Sequence, residues 1–274
     1  MRKGFVALLS AAWAIMLASA AAMAQADPAA SVGGERVVAL PLQDGTGLRV
    51  LYAAPEHPWA TIVMLPGGSG DIGAQEGDGA EGDDIRHGDN FVVRTRALWS
   101  ARGYAVLIPD TIAHASLRGW RSSPAYAAVV AQLAAFARTR AAGPVFLLGT
   151  SQGSIAAMNG AAHAAPGAIA GVVLTESVSR MGGSHETVFS AHPQAVTAPA
   201  LIVANRDDAC PVAPPEDAPR IAAQLTHARE VRILAVSGGI SRSRRACGSL
   251  TPHGLYGIEP EVIDGISDWM HRHG

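Results

Sequence analysis

The chain is 274 residues long, 49% apolar and 16% charged, with a formal net charge of −2. That length and apolar content suit one sizeable core and exclude disorder as the general state. The near-neutral balance gives no basis for attraction to nucleic acid or to an anionic membrane surface, so neither is expected as a partner.

In chain order, Arg2 and Lys3 precede an apolar stretch from Phe5 to about Ala22, which ends in Ala22-Met23-Ala24. A positive start, an apolar centre and a small-residue exit make up a secretory signal. The expectation is a signal peptide over 1–24, a tail over 25–34 and a mature chain exported to the periplasm or beyond. A membrane anchor is the alternative, but the alanine content and the small exit favour cleavage, so no stable membrane insertion is expected afterwards. The two cysteines, Cys210 and Cys247, read in an exported chain as one disulfide, and two thiols alone do not make a zinc site.

Apolar runs at 36–42 and 48–53 flank Asp44-Gly45, which predicts a hairpin. Residues 61–65 predict a strand that ends at Pro66-Gly67-Gly68. Residues 70–89 are rich in Gly and Asp and predict a long flexible loop. Asn90 is placed to cap a helix running to Trp99. A strand at 104–108 follows, closed by Pro109-Asp110. Ser123 and Pro124 are a cap and a first-turn proline for a helix to about Arg140. Then come a strand at 145–148, a helix from Ser151, strands at 169–174 and 200–204, a helix at 217–226 and a strand at 231–236. The last helix opens at Pro260, with Val262, Ile263, Ile266, Trp269 and Met270 at helical spacing.

Continuous apolar strands alternating with helices predict an α/β fold. Its centre is a mostly parallel, twisted sheet of about eight strands, with helices on both faces and an antiparallel N-terminal edge. One domain over 35–274 is expected.

The chemistry concentrates in Gly149-Thr150-Ser151-Gln152-Gly153. This is G-x-S-x-G between a strand and a helix, the setting that makes the pattern informative. Outside that setting it is an ordinary glycine turn. A serine hydroxyl needs a base to take its proton and a third group to orient the base. In a parallel sheet these partners come from loops at the carboxyl ends of strands. The loop after 200–204 offers Asp207 and Asp208. Asp208 is the preferred acid, with the rival that one aspartate caps the turn while the other is catalytic. Among ten histidines, His253 lies in the loop before the last helix and is the preferred base. His114 follows the strand at 104–108 and is a candidate substrate contact. The oxyanion needs backbone donors, for which Gln152 and Gly68 are the candidates.

The order glycine loop, Ser151, Asp208, His253 resembles the α/β-hydrolase superfamily over about residues 35–273. It is similar to exported bacterial members with Asp-x-Cys near the acid and a His-Gly loop before the last helix. Two places depart from the familiar pattern: Pro66-Gly67 stands where His-Gly is usual, and Ala204-Asn205 stands where Gly or His often precedes the acid turn. The resemblance implies a serine hydrolase acting on a small acyl substrate, a carboxylic ester first, with no cofactor and no metal. Acyl transfer, peptide or thioester cleavage use the same triad, and a binding protein could keep the fold without the reaction.

With Cys210 two residues after Asp208 and Cys247 six before His253, a bridge would tie the acid loop to the histidine loop. Positioning of acid against base and a general export staple are both open readings of it. The acids of 70–89 lack calcium-loop spacing and read as a solvated flap at the substrate entrance. Arg242, Arg244 and Arg245 read as a solvated basic loop, with attraction of an anionic substrate as the alternative.

Overall fold

Eight of the apolar runs pair edge to edge in one sheet. The computed structural model describes Met1, residues 34–75 and residues 84–274. Its strands are β1 (Arg36–Pro41), β2 (Gly47–Ala53), β3 (Ala60–Leu65), β4 (Tyr104–Pro109), β5 (Val145–Thr150), β6 (Gly171–Thr175), β7 (Ala200–Asn205) and β8 (Val231–Val236). Their order across the sheet is β1-β2-β4-β3-β5-β6-β7-β8. The β1–β2 and β2–β4 pairs are antiparallel, and every pair from β4 to β8 is parallel. The expected fold class is therefore the observed one.

The helices are α1 (Phe91–Arg94), α2 (Arg96–Ser100), α3 (Pro124–Arg140), α4 (Gly153–Ala162), α5 (Ala218–Gln224) and α6 (Glu259–His271). Alternation along each strand sends side chains to two cores. On β3, Val63 and Leu65 join the residues of α3, α4 and α5 on one face. Ile62 and Met64 join Phe91, Trp99 and Trp269 on the other, against α1, α2 and α6. Residues from 34 onward belong to one compact unit, Val32–Gly274. Of the expected signal peptide and tail, all but Met1 and Gly34 lie outside the described residues.

Local signals act as read in several places. Ser123 accepts the Tyr126 N–H at 3.1 Å and Pro124 opens α3. Asn90 accepts the Val92 N–H at 3.2 Å and caps α1. The helix expected over 90–99 is broken at Thr95, however. The Thr95 hydroxyl donates back to the Phe91 carbonyl at 2.7 Å, a bond that bends helices. β8 also differs from a doubly covered strand. It is the sheet edge, with Arg232 and Ile233 exposed.

The stretch 70–89 is more anchored than a solvated flap. Ala74–Gln75 pairs antiparallel with Asp84–Ile85. Ile72 and Ala74 are wholly buried in the core that holds Phe91 and Trp99. The Asp110 carboxylate, at the end of β4, accepts the Ile72 and Ala74 N–H groups at 3.0 and 2.9 Å. Ile72, Ala74 and the Asp110 acceptor fix the 70–75 end, and the strand pair with the His87 N–H on the Ile72 carbonyl at 3.0 Å ties the 84–89 end to it. Residues 76–83 lie outside the described residues.

Candidate active site

Ser151 sits where β5 turns into α4, at φ +52, left-handed for a residue with a side chain. The turn is held from both sides. The Ser151 N–H donates to the Thr175 carbonyl of β6 at 2.9 Å, and the Ser154 hydroxyl donates to the Ser151 carbonyl at 2.6 Å. The flanking glycines answer to sterics. A Cβ on Gly149 would lie 2.1 Å from the Gly153 carbonyl oxygen, and one on Gly153 would lie 1.9 Å from that of Leu65. No side chain fits either gap. Strand and helix close on this turn, and the serine hydroxyl is left at the carboxyl edge of the sheet.

Three of the sequence-selected side chains meet there. The Ser151 Oγ lies 2.8 Å from His253 Nε2, and His253 Nδ1 lies 2.7 Å from Asp208 Oδ2. His253 and Asp208 are buried, and Ser151 is half-buried. Asp207 does not cap its own turn. Its carboxylate accepts the Gly238 N–H at 2.6 Å and ties the acid loop to the loop after β8. Asp208 is held by the Cys210 N–H, 2.7 Å from its Oδ1. The Cys210–Cys247 disulfide joins the acid loop to the histidine loop. His253 rides on a short turn, Pro252–Gly254, and its own N–H donates to the Thr251 hydroxyl oxygen at 3.2 Å.

The glycine loop after β3 lies against the serine. A Cβ on Gly67 would touch the Thr150 carbonyl at 3.0 Å and Ser151 Cβ at 3.1 Å. Gly68, at φ +62, and Gln152 have N–H groups with no acceptor among the described residues. A cavity of about 460 Å³ opens over Ser151 and His253. Gly68, Asp71, Arg86, His87 and Asn90 give it a polar lining, with Phe91 as an apolar floor. Such a site can deprotonate the serine through the imidazole and offer backbone donors to a developing oxyanion.

Other expectations fall elsewhere. The His114 ring is bonded to Arg49 Nη2 at 2.7 Å and does not line this cavity. Arg49 belongs to β2, which β4 and β3 separate from the serine strand, so following a strand end was not sufficient to reach the cleft. Arg242, Arg244 and Arg245 are exposed and also stand outside the lining. Asp71 is engaged locally, accepting the Gly73 N–H at 2.8 Å. Among the described residues, Glu176, Asp208 and His253 are the group arranged as metal ligands would be, and two of them already bind each other.

No family model and no curated relative matches the sequence. Solved structures do match. A dienelactone hydrolase from Anabaena variabilis aligns at TM-score 0.60 and 17% identity, over 88% of this chain and 99% of that one. An esterase from Pyrococcus furiosus aligns at 0.56 and 15%, over 87% and 93%. A cold-adapted esterase from an Arctic intertidal metagenomic library aligns at 0.53 and 14%, over 87% and 96%. The chain has the α/β-hydrolase fold. Within that fold one of the two sequence departures, Asn205, gains a local reason. At the other, the Pro66 backbone carbonyl accepts Arg121 Nη2 at 3.2 Å, which any residue there could do. Asn205 links the acid loop to the histidine loop, donating to the Gly238 and Pro252 carbonyls at 3.0 and 3.1 Å.

Four residues support the Ser151 site in roles that escaped the sequence reading. Arg121 is fully buried, and its Nη1 also reaches Gln152 Oε1 at 3.2 Å. Burial holds this guanidinium below its ordinary value, while Tyr126 and Glu186 nearby favour the charge. Arg94 donates to Glu259 at 2.8 Å and to the Ser249 and Gly254 carbonyls of the histidine loop. Asn205 is the third. The fourth, Glu176, directly follows β6 and is buried beside Asp208. Burial first, and then the Asp208 carboxylate, raise its acid well above the usual range. Only Glu176 had a readable signal: it is an acid at a strand's carboxyl end, one strand from the serine.

Proposed function

We propose that this chain is an exported serine hydrolase that cleaves a carboxylic ester of a small-molecule substrate through an acyl-enzyme. The observation that carries the reading is the continuous line Ser151 Oγ–His253–Asp208, with links of 2.8 and 2.7 Å. Ser151 attacks the ester carbonyl as His253 Nε2 takes its proton. The Gln152 and Gly68 N–H groups stabilise the oxyanion. His253 then protonates the leaving alcohol, while Asp208 holds the tautomer and stabilises the imidazolium. Water, deprotonated by the same imidazole, releases the acid. The hydrolase and esterase neighbours support acyl chemistry on this fold, and the disulfide supports an oxidising compartment. No helix among the described residues is long and apolar enough to cross a membrane.

A hydrolysis screen tests the reading, with short and long acyl esters, lactones, amides and thioesters and with Ser151→Ala as control. Ester turnover that disappears in S151A is the expected result. Turnover that survives S151A, or none in any ester arm while an amide or thioester is cleaved, contradicts the reading as stated.

A further inference from the structure

The acid next to the triad has no part in the mechanism above. Glu176 stands at φ +46, a conformation that costs energy for a residue with a side chain. Its backbone explains why it stays there. The Glu176 N–H donates to Val203 at 3.1 Å, and the preceding carbonyl, of Thr175, receives the Ser151 N–H at 2.9 Å. The peptide that holds the serine therefore also aims the Glu176 side chain, into the gap between β6 and the acid loop.

In that gap the carboxyl group is only half satisfied. Oε1 accepts the Asn205 N–H at 2.9 Å, but Oε2 is buried with no donor facing it. Ligand atoms of Glu176, Asp208 and His253 all lie within 4.8 Å of one another. Asp208 and His253 are the titratable groups that face Glu176, from the loop after β7 and the loop before α6. Two ionised carboxylates in one buried site repel, so one of them holds a proton. The donors choose between them. Asp208 has two partners on its oxygens, the Cys210 N–H and His253 Nδ1. Glu176 has a single backbone donor and an empty second oxygen.

We propose that Glu176 is a positioning residue for the triad, whose carboxylic O–H donates to Asp208 and fixes the carboxylate that orients His253. The proton satisfies Oε2 and gives Asp208 a further donor. One negative charge, not two, then stands behind the imidazole. Glu176 touches no reacting atom and acts through Asp208, and its part in turnover rests on the serine-hydrolase reading.

The test uses the whole folded protein with Glu176→Gln, a neutral donor of the same shape, and Glu176→Leu, which lacks a donor. Infrared difference spectra of wild type against E176Q at neutral pH are expected to show the loss of an un-ionised carboxylic C=O stretch. Loss of a carboxylate band instead overturns the proposal. The second arm is the rate of Ser151 labelling by a fluorophosphonate as a function of pH. E176L is expected to label about tenfold more slowly, the size of one lost hydrogen bond to a charged group. E176Q is expected to restore that rate and keep the acid limb of the wild-type profile. Wild-type rate and profile in E176L, or an acid limb moved to lower pH in E176Q, overturns the proposal. If E176L does not fold, the spectrum and the E176Q profile decide. If wild type is not labelled at all, the hydrolase reading has failed, and the infrared band still decides where the proton sits.

Discussion

The two sides of the Ser151 site are held in different ways. On one side the acid and histidine loops are joined covalently by Cys210–Cys247 and again through Asn205, and Arg94 of α1 holds the histidine loop by its Gly254 carbonyl. On the other side the glycine loop after β3 is held without a covalent tie, by the Leu117 N–H on the Ser69 carbonyl at 2.8 Å and by one buried guanidinium, Arg121, which reaches the Pro66 carbonyl and the Gln152 side chain while its Nε has no partner. The base must hold one angle through both proton transfers, so redundancy there limits drift. The oxyanion side presents backbone donors, and what it needs is a fixed loop with open N–H groups.

The largest expected effect breaks the redundant side at its centre. Asp208→Asn removes the orienting charge and is expected to lower kcat about 10⁴-fold. Asp207→Asn, one residue away in the same loop, is expected to leave kcat intact, because that carboxylate bonds the Gly238 N–H of the loop after β8 and not His253. Steady-state kinetics on both variants checks the distinction. Removing the disulfide comes next. The bridged cysteines are 37 residues apart, for which chain entropy gives roughly 4 kcal/mol. Cys210→Ala/Cys247→Ala is expected to melt on the order of 10 °C lower in calorimetry. Turnover measured where the variant is still folded then separates positioning, which predicts a loss, from a mere staple.

Breaking the other side is a smaller change. Arg121→Met frees the Pro66 loop and is expected to cost about 100-fold in kcat, with KM moving less, as a displaced donor does. Arg121→Lys keeps the charge but not the two-pronged reach, and is expected to share that loss. The smallest effect is on stability against pH. Glu176 has a raised folded value, so its neutral form stabilises the fold fully below the ordinary carboxyl range. That stabilisation is lost as pH rises toward the raised value. Relative to E176Q, wild type is expected to lose at most about 1.4 kcal/mol per pH unit across that window. Urea unfolding of both proteins at several pH values reads it, and parallel pH dependence would contradict a buried neutral acid.

What the sequence conveyed follows from how local each signal is. Apolar runs, caps and Gly149–Gly153 depend on near neighbours, so strands, most helices and the serine turn were legible. Asp208 and His253 were legible through chain order, since parallel strands send their loops to one edge, and the structure brings both to Ser151. Long-range pairings carried no such signal. Arg121 and Arg94 look like ordinary surface cations until the fold buries one and docks the other on a loop over 150 residues away in sequence. His114 shows the converse: it follows a strand end, but sheet order places its partner, Arg49, three strands from β5. The stretch 70–89 misled through composition, because Ile72 and Ala74 are few but both buried.

The central claim is that His253 and Asp208 make Ser151 nucleophilic. Mass spectrometry of the intact protein after treatment with a fluorophosphonate tests it most directly. Wild type is predicted to gain one adduct, mapped to the peptide containing Ser151, with Asp208→Asn labelled far more slowly under the same conditions. An unlabelled Ser151 in folded wild type, or equal labelling rates in the two proteins, would contradict the account.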